Sequence, residues 1–164
     1  MMRRMLSAMT VVAALAGPAL AADLKAGLAD VFGPPGEWNA AAFRGLKKGR
    51  TWDEAKKALP ELPPLKAGSS PKLQVPMKGH PLLSGLEVSF MEGKTYTATL
   101  VFRSNLDRAA FKAASLELME AKWAKAKPAE RDKDLITLAD GASGLLVQRN
   151  WLVDHWEIEV ELAP

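Results

Sequence analysis

Residues 86–102 read LEVSFMEGKTYTATLVF, and this stretch decides the fold that the sequence predicts. Apolar and polar residues alternate on both sides of Glu92-Gly93, which interrupts the pattern. Two alternating runs joined by a short turn predict a β-hairpin with one apolar face. The predicted inner face holds Leu86, Val88, Phe90, Tyr96, Ala98, Leu100 and Phe102, and the predicted outer face holds Glu87, Ser89, Thr97 and Thr99.

A two-stranded hairpin is only marginally stable in water, so its apolar face needs a covering layer. Residues 38–62 predict a helical hairpin upstream. Asn39 is the expected cap of its first short helix, and Thr51 with Glu54 forms a capping box for the second. Downstream, residues 104–127 predict a long amphipathic helix, capped by Ser104 or Asn105 and ended by Pro128.

Four further segments alternate like strands: residues 72–77, 135–139, 145–151 and 156–162. The predicted fold class is therefore α+β, with helices packed on one face of an antiparallel sheet of about four to five strands. Residues 22–38 predict a helix that begins at Asp23 and is followed by a strap on the core. Residues 39–164 then form a single domain, with a proline-rich connection at 60–81.

Residues 1–21 have the pattern of a secretory signal peptide. Arg3 and Arg4 precede an apolar run, and a small-residue cleavage motif ends near Ala21. The alternative is a membrane anchor, but the apolar run is shorter than the ~20 residues that span a bilayer. We therefore expect a periplasmic or secreted protein with no stable membrane anchor after cleavage.

Composition excludes several functional classes. The chain has no cysteine, which excludes disulfides, thiol catalysis and cysteine zinc sites. Arg3 and Arg4 lie in the leader, which holds no acidic residue, so its removal lowers the net charge from +3 to +1. A nearly neutral protein of mixed charge gives no electrostatic reason to expect nucleic acid as a partner.

The segment FRGLKKGRTWDEAKKAL, residues 43–59, resembles the signature that opens the repeat unit of beta-lactamase inhibitor proteins. It is also similar to the small accessory lipoprotein of the outer-membrane barrel assembly machinery. Arg50 stands at a position that is usually Met, Ala55 at one that is usually Val, and the lipoprotein cysteine is absent. The resemblance implies two helices against an antiparallel sheet and a function in binding other proteins.

The last predicted strand presents three carboxylates on one face, at Glu157, Glu159 and Glu161. Residues two apart on a strand are about 6.7 Å apart, so these like charges need water or a basic neighbour. One interpretation is a solvated face with ion pairs to Arg149 or Lys94. The other is a surface that binds calcium or a basic partner.

The sequence offers no convincing catalytic set. Its two histidines, His80 and His155, are far apart and lack the spacing of paired metal ligands. The adjacent Asp154 and His155 are expected to point in different directions, and Asp132-Lys133-Asp134 predicts a solvated loop. No phosphate-binding glycine loop or dinucleotide motif is present, and we predict no metal and no cofactor.

The sequence therefore favours a non-catalytic protein over an enzyme. We expect an exported protein-binding or envelope-assembly module, with another envelope protein as its partner. The connection at 60–81 is either a solvated linker or a recognition loop stiffened by proline. The alternative function is a small-ligand carrier or hydrolase with a pocket between sheet and long helix, lined by Trp123, Trp151 or Trp156. The predicted binding surface, here called the outer-face residues, comprises Glu87, Ser89, Thr97, Thr99, Glu157, Glu159 and Glu161.

Overall fold

The computed structural model describes residues 16–65, 72–131, 135–140, 145–150 and 156–164. These residues form three α-helices, one short 3-10 helix and seven strands. All seven strands belong to one antiparallel sheet. The predicted α+β class is confirmed, and the described residues contain more strands than the four to five predicted.

The helices are α1 (Ala16–Phe32), the 3-10 helix (Ala41–Phe43), α2 (Trp52–Ala58) and α3 (Arg108–Lys122). The strands are β1 (Lys72–Pro76), β2 (Leu83–Met91), β3 (Lys94–Phe102), β4 (Lys127–Arg131), β5 (Leu135–Asp140), β6 (Leu145–Asn150) and β7 (Trp156–Glu161). Their order in the sheet is β1-β2-β3-β7-β6-β5-β4. Two meanders, β1–β3 and β4–β7, thus meet through their last strands, and β3 and β7 lie at the centre of the sheet.

The predicted hairpin is confirmed as β2 and β3. Glu92 and Gly93 both have positive φ angles, 52° and 75°, as the two central residues of a type I′ turn do. The predicted inner-face residues are buried except Tyr96, which is only partly buried. Tyr96 lies where the register between β2 and β3 shifts by one residue, and such a shift interrupts the alternation of faces.

One hydrophobic core lies on the inner face of the sheet and includes buried residues from all three helices and the 3-10 helix. Phe111 of α3 is fully buried at its centre. The Phe111 ring is 4.6 Å from the ring of Phe102 and 5.3 Å from that of Trp156. Because Phe102 and Trp156 are neighbours in register on β3 and β7, α3 fastens the junction between the two meanders.

The structure corrects both predicted ends of the long helix. Asp107, rather than Ser104 or Asn105, is the N-cap, and its Oδ1 accepts a hydrogen bond of 2.7 Å from the Ala110 amide. The helix ends at Lys122, before Pro128. Pro128 lies instead in β4, an edge strand of the sheet. Proline is tolerated at a sheet edge because its missing N–H is not needed for pairing there.

Asn39 does not cap the first short helix. The 3-10 helix has Ala40 as its N-cap, with no side-chain hydrogen bond. The Asn39 amide donates to the Leu46 carbonyl, and its Oδ1 accepts from the Ala163 amide at 2.9 Å. Asn39 therefore links the N-terminal part of the domain to the end of the chain. In contrast, the predicted capping box of Thr51 and Glu54 on α2 is confirmed.

Residues 33–38 follow α1 as a strap that is fixed to the end of α3. The Lys122 ammonium donates to the Pro34 carbonyl at 2.8 Å, and the Gly36 amide donates to the Lys122 carbonyl at 2.9 Å. The indole N–H of Trp123 donates to the Trp38 carbonyl at 3.2 Å. Lys122 is consequently 3% exposed, and burial lowers the pKa of its ammonium while Glu37 opposes that shift.

Candidate functional site

The structure brings all seven outer-face residues onto one face of the sheet, opposite the core. They form three rows across the central strands. The first row contains Pro76, Gly85, Val101 and Glu157, each in register with the next. The second row contains Gln74, Glu87, Thr99 and Glu159. The third row pairs Lys72 with Ser89 and Thr97 with Glu161, and the register shift between β2 and β3 interrupts it between these two pairs.

The threonines of this face are less accessible than the sequence predicted. Thr97 is 5% exposed and Thr99 is 1% exposed, although both were expected on an open surface. On β3, Thr99 lies between Glu87 of β2 and Glu159 of β7, and Thr97 is in register with Glu161 of β7. The accessible part of the face is therefore formed by the glutamates, which are partly exposed, and the threonines form its base.

Three of the four carboxylates have partners. Gln74 Nε2 donates to Glu87 Oε1 at 2.9 Å, and Lys72 Nζ lies 3.9 Å from Glu87 Oε2. The Thr97 hydroxyl donates to Glu159 at 2.8 Å. Glu161 forms an ion pair with Lys48, whose ammonium lies 4.6 Å from the centre of the Tyr96 ring.

Of the two predicted partners of the glutamate row, Lys94 forms no ion pair with a glutamate of this row in the described part of the chain, and the side chain of Arg149 lies outside that part. Arg149 is in register with Ile158, a core position, rather than with a glutamate. Lys94 is in register with Met91, at the far end of the hairpin. The observed cation, Lys48, comes from the turn before α2, which pairs with the start of β3 and the chain end through backbone hydrogen bonds. Sequence periodicity could not find it because Lys48 is in a loop.

Glu157 is the exception among the four carboxylates, because it makes no hydrogen bond or ion pair with any described residue. It lies at the border of a groove of about 370 Å³ on the same face. Glu87 and Gln74 border the opposite side, and the base includes Gly85, Val101 and Pro76. The groove therefore combines an apolar base with carboxylates on two sides.

Sequence reasoning missed the base of this groove. Gly85 lies inside a strand, where glycine often marks a close approach of another chain or a local irregularity. The register between β2 and β3 shifts between Leu83 and Gly85, and a Cβ at Gly85 would lie 3.2 Å from the Val75 carbonyl oxygen. A glycine within the alternating pattern was the available signal.

Two hydroxyl groups of the outer face have no hydrogen-bond partner among the described residues, those of Ser89 and Thr99. Both oxygens are buried. Buried hydroxyls are hydrogen-bonded in the great majority of cases. Thr99 lies between Glu87 and Glu159 in register, so the unpaired hydroxyl is at the centre of the acidic face.

His80 forms a separate polar site at the corner between β1 and β2. Its Nδ1 accepts hydrogen bonds from the Leu82 and Leu83 amides at 3.1 and 3.0 Å. The Arg103 guanidinium donates to the His80 carbonyl at 2.9 Å. Burial and, secondarily, the charge of Arg103 lower the pKa of the imidazole. An imidazole that accepts two backbone hydrogen bonds holds the corner in place and is not poised as a base.

Two of the tryptophans proposed to line a ligand pocket are packed in the core. Trp156 stacks on Phe111, and Trp123 makes an edge contact with Phe32 at 6.2 Å between ring centres. They are 6% and 4% exposed. The third, Trp151, lies outside the described residues. In the described part of the chain, Trp123 and Trp156 therefore line no ligand pocket of the kind that the alternative function, a small-ligand carrier or hydrolase, requires.

Several sequence predictions fall on residues that the structure does not describe. These are the first fifteen residues of the predicted signal peptide, part of the proline-rich connection (66–71), the loop at 132–134, and the pair Asp154 and His155. Among the described residues, no three histidine, aspartate or glutamate side chains are grouped closely enough to hold a metal ion. No described helix combines the length and hydrophobicity needed to cross a bilayer.

Comparison with known proteins returned no protein-family model, no curated protein and no solved structure that matches this chain.

Proposed function

We propose that this chain is an exported, non-catalytic protein-binding module that binds another envelope protein through the outer face of its sheet. The observation that carries the proposal is the groove beside Glu157, where an unpaired carboxylate borders an apolar base on an otherwise polar face. The described helices contribute their buried residues to the core on the other face. The outer face of the central strands is therefore the surface available to a partner.

The arrangement of polar groups favours binding over catalysis. General acid–base catalysis requires a titratable group within hydrogen-bond reach of the reacting atoms. Glu87, Glu159 and Glu161 are each engaged by a side chain of this protein, and the Nδ1 of His80 is engaged by two backbone amides. These interactions fix the shape of the surface, and of its four glutamates only Glu157 has no partner among the described residues.

The charge of the face favours a basic protein partner. Four glutamates face two lysines, Lys48 and Lys72. Complementary charge increases the rate of association and selects among partners. The same charge repels the phosphates of nucleic acid and of acidic lipids, which leaves a basic protein segment as the preferred partner class.

The resemblance of residues 43–59 to protein-binding families supports the same conclusion. In this chain the segment begins at the last residue of the 3-10 helix and includes the capped helix α2. The support comes from those 17 residues alone.

Site-specific photo-crosslinking in envelope extracts tests the proposal. A photoreactive phenylalanine at Met91, which is 55% exposed at the end of β2, should give adducts with a specific protein. The same group at Leu65, which is 45% exposed, tests the contribution of the proline-rich connection. The control position is Ala113, an exposed residue of α3, where no adduct is expected.

Charge variants show whether an adduct depends on the acidic face. Glu157→Lys combined with Glu87→Lys should abolish the adduct at Met91. Asp30→Lys, at an exposed position of α1, should leave it unchanged. If no specific adduct forms at Met91, or if adducts form equally at Ala113, the proposed binding face is wrong.

A further inference from the structure

The groove on the outer face has the dimensions and chemistry of a site for one side chain. Its volume, about 370 Å³, lies at the lower end of the roughly 300–1,000 Å³ typical of small-ligand sites. It lies over β1, β2, β3 and β7, on the face opposite the core. A partner strand or loop lying over this face could insert a single residue into the groove.

The groove presents acceptors on two sides. Glu87 on β2 and Glu157 on β7 are separated by the intervening strand β3 and by two residues along the strands, so their backbones are about 12 Å apart. Gln74 donates its N–H to Glu87, which leaves its carbonyl oxygen as a further acceptor. No lysine or arginine is among the described residues that border the groove.

We propose that the groove binds the side chain of one arginine from the partner protein. The arginine's aliphatic stem packs on Val101 and Pro76, and its guanidinium lies between Glu157 and Glu87. Arginine is preferred to lysine because a planar guanidinium has five N–H donors, which can reach acceptors on two sides at once. This inference rests on the proposed function, because the arginine belongs to the bound protein.

The buried hydroxyl of Thr99 lies beside the groove and does not border it. Thr99 is the next outward-facing residue after Val101 on β3 and is in register with Glu87. It is 1% exposed and its hydroxyl has no partner among the described residues.

The test uses three small probes that differ only in the head group: N-acetyl-argininamide, N-acetyl-lysinamide and N-acetyl-citrullinamide. Citrulline has nearly the shape of arginine but no charge. Titration of the ¹⁵N-labelled protein should shift the amide signals of Gly85, Glu87, Val101 and Glu157 with the arginine probe. The lysine probe should cause smaller shifts, and the citrulline probe should cause none at these positions.

Glu157→Gln should weaken binding of the arginine probe by roughly tenfold, as the loss of a hydrogen bond to a charged group predicts. The variant should fold normally because Glu157 has no partner within the described chain. Glu92→Gln is the control, because Glu92 is an exposed carboxylate in the turn after β2 and does not border the groove. Its effect should be less than twofold.

The result overturns the arginine site if the arginine probe causes no shifts at the groove, or if citrulline or lysine binds equally well. The site is also overturned if Glu92→Gln weakens binding as much as Glu157→Gln. These outcomes are distinct from failure of the proposed function. If the protein crosslinks to a partner but does not bind the arginine probe, the protein-binding function stands and the arginine site is wrong. If it binds the arginine probe but crosslinks to no partner, the arginine site stands and the protein-binding function is wrong.

Discussion

His80 shows how one side chain makes the stability of a corner depend on pH. Its Nδ1 can accept from the Leu82 and Leu83 amides only while that nitrogen carries no proton. The pKa of the folded state lies below the ordinary value of 6.5. The unfolded chain therefore binds a proton more readily, and the contribution of His80 is fully present above pH 6.5 and is lost as the pH falls through the folded pKa.

We expect the free energy of unfolding to decrease between pH 7 and pH 5, by about 1 kcal/mol from His80. His80→Asn should reduce this decrease, because the asparagine carbonyl oxygen can occupy the place of Nδ1 and does not titrate in this range. Urea denaturation at pH 7, 6 and 5 measures both proteins. Parallel pH profiles for the wild type and the variant would contradict this role.

The turn between β2 and β3 contains a residue in an unfavourable conformation. Glu92 has a φ of 52°, a region that costs most L-residues about 1–2 kcal/mol but that asparagine tolerates. Glu92→Asn should therefore raise the free energy of unfolding by roughly 0.5 kcal/mol. Gly93→Ala should lower it by about 1 kcal/mol, and Glu92→Gln, which removes only the charge, should have little effect in the same denaturation assay.

At the scale of the element, α3 shows what capping contributes and why sequence reasoning misplaced it. The predicted caps were Ser104 and Asn105, and Asp107 follows them; each of these side chains can accept a hydrogen bond from a free helix amide. Which residue caps α3 depends on the direction in which the chain leaves β3, and the local sequence does not determine that direction. The structure selects Asp107.

Asp107→Ala should lower the free energy of unfolding by about 1 kcal/mol, the typical effect of removing an N-cap. Asp107→Asn should preserve most of the stability because its amide oxygen still accepts from Ala110. Ser104→Ala and Asn105→Ala, both at exposed positions, should change stability little. Denaturation followed by circular dichroism compares the four variants, and an equal loss in Asn105→Ala would refute the assignment.

The elements that could be predicted are those whose pattern is local. The alternation in residues 86–102 predicted β2 and β3, and the alternation in residues 156–162 predicted β7, because each strand buries one face. β4 was missed because a proline after a helical pattern usually ends the helix, and Pro128 was interpreted in that way. Only the order of the strands shows that β4 lies at an edge of the sheet, where proline is tolerated. The burial of Lys122 was missed for a related reason, since its partner Pro34 is distant in sequence.

The candidate site shows the same division. Periodicity placed seven residues on one face, and the structure brings them together. Periodicity could not show that Glu87, Glu159 and Glu161 have partners and Glu157 does not. Their partners Gln74, Thr97 and Lys48 come from three different segments. The groove likewise depends on the register of Gly85 with Val101, a relation between strands rather than a property of either one.

At the scale of the whole molecule, the two meanders should unfold together. Their only direct pairing within the described sheet is between β3 and β7, and Phe111 packs on Phe102 and Trp156 at one end of that junction. Since α3 connects the meanders in sequence and fastens them in space, loss of its packing exposes the cores of both. We therefore expect a single cooperative transition, as for most domains of this size.

Phe111→Ala should lower the free energy of unfolding by about 3 to 5 kcal/mol, because it removes a fully buried aromatic ring. Met119→Leu, at another fully buried position of α3, keeps the volume and should cost less than about 1.5 kcal/mol. In urea titrations followed by NMR, amides of β2 and β6 should lose their native signals at the same denaturant concentration in each protein, with the midpoint lowered in Phe111→Ala. If β2 and β6 unfold at different concentrations in the wild type, the meanders are independent units, and the acidic face that spans β2 and β7 would then lose its shape whenever either unit opens.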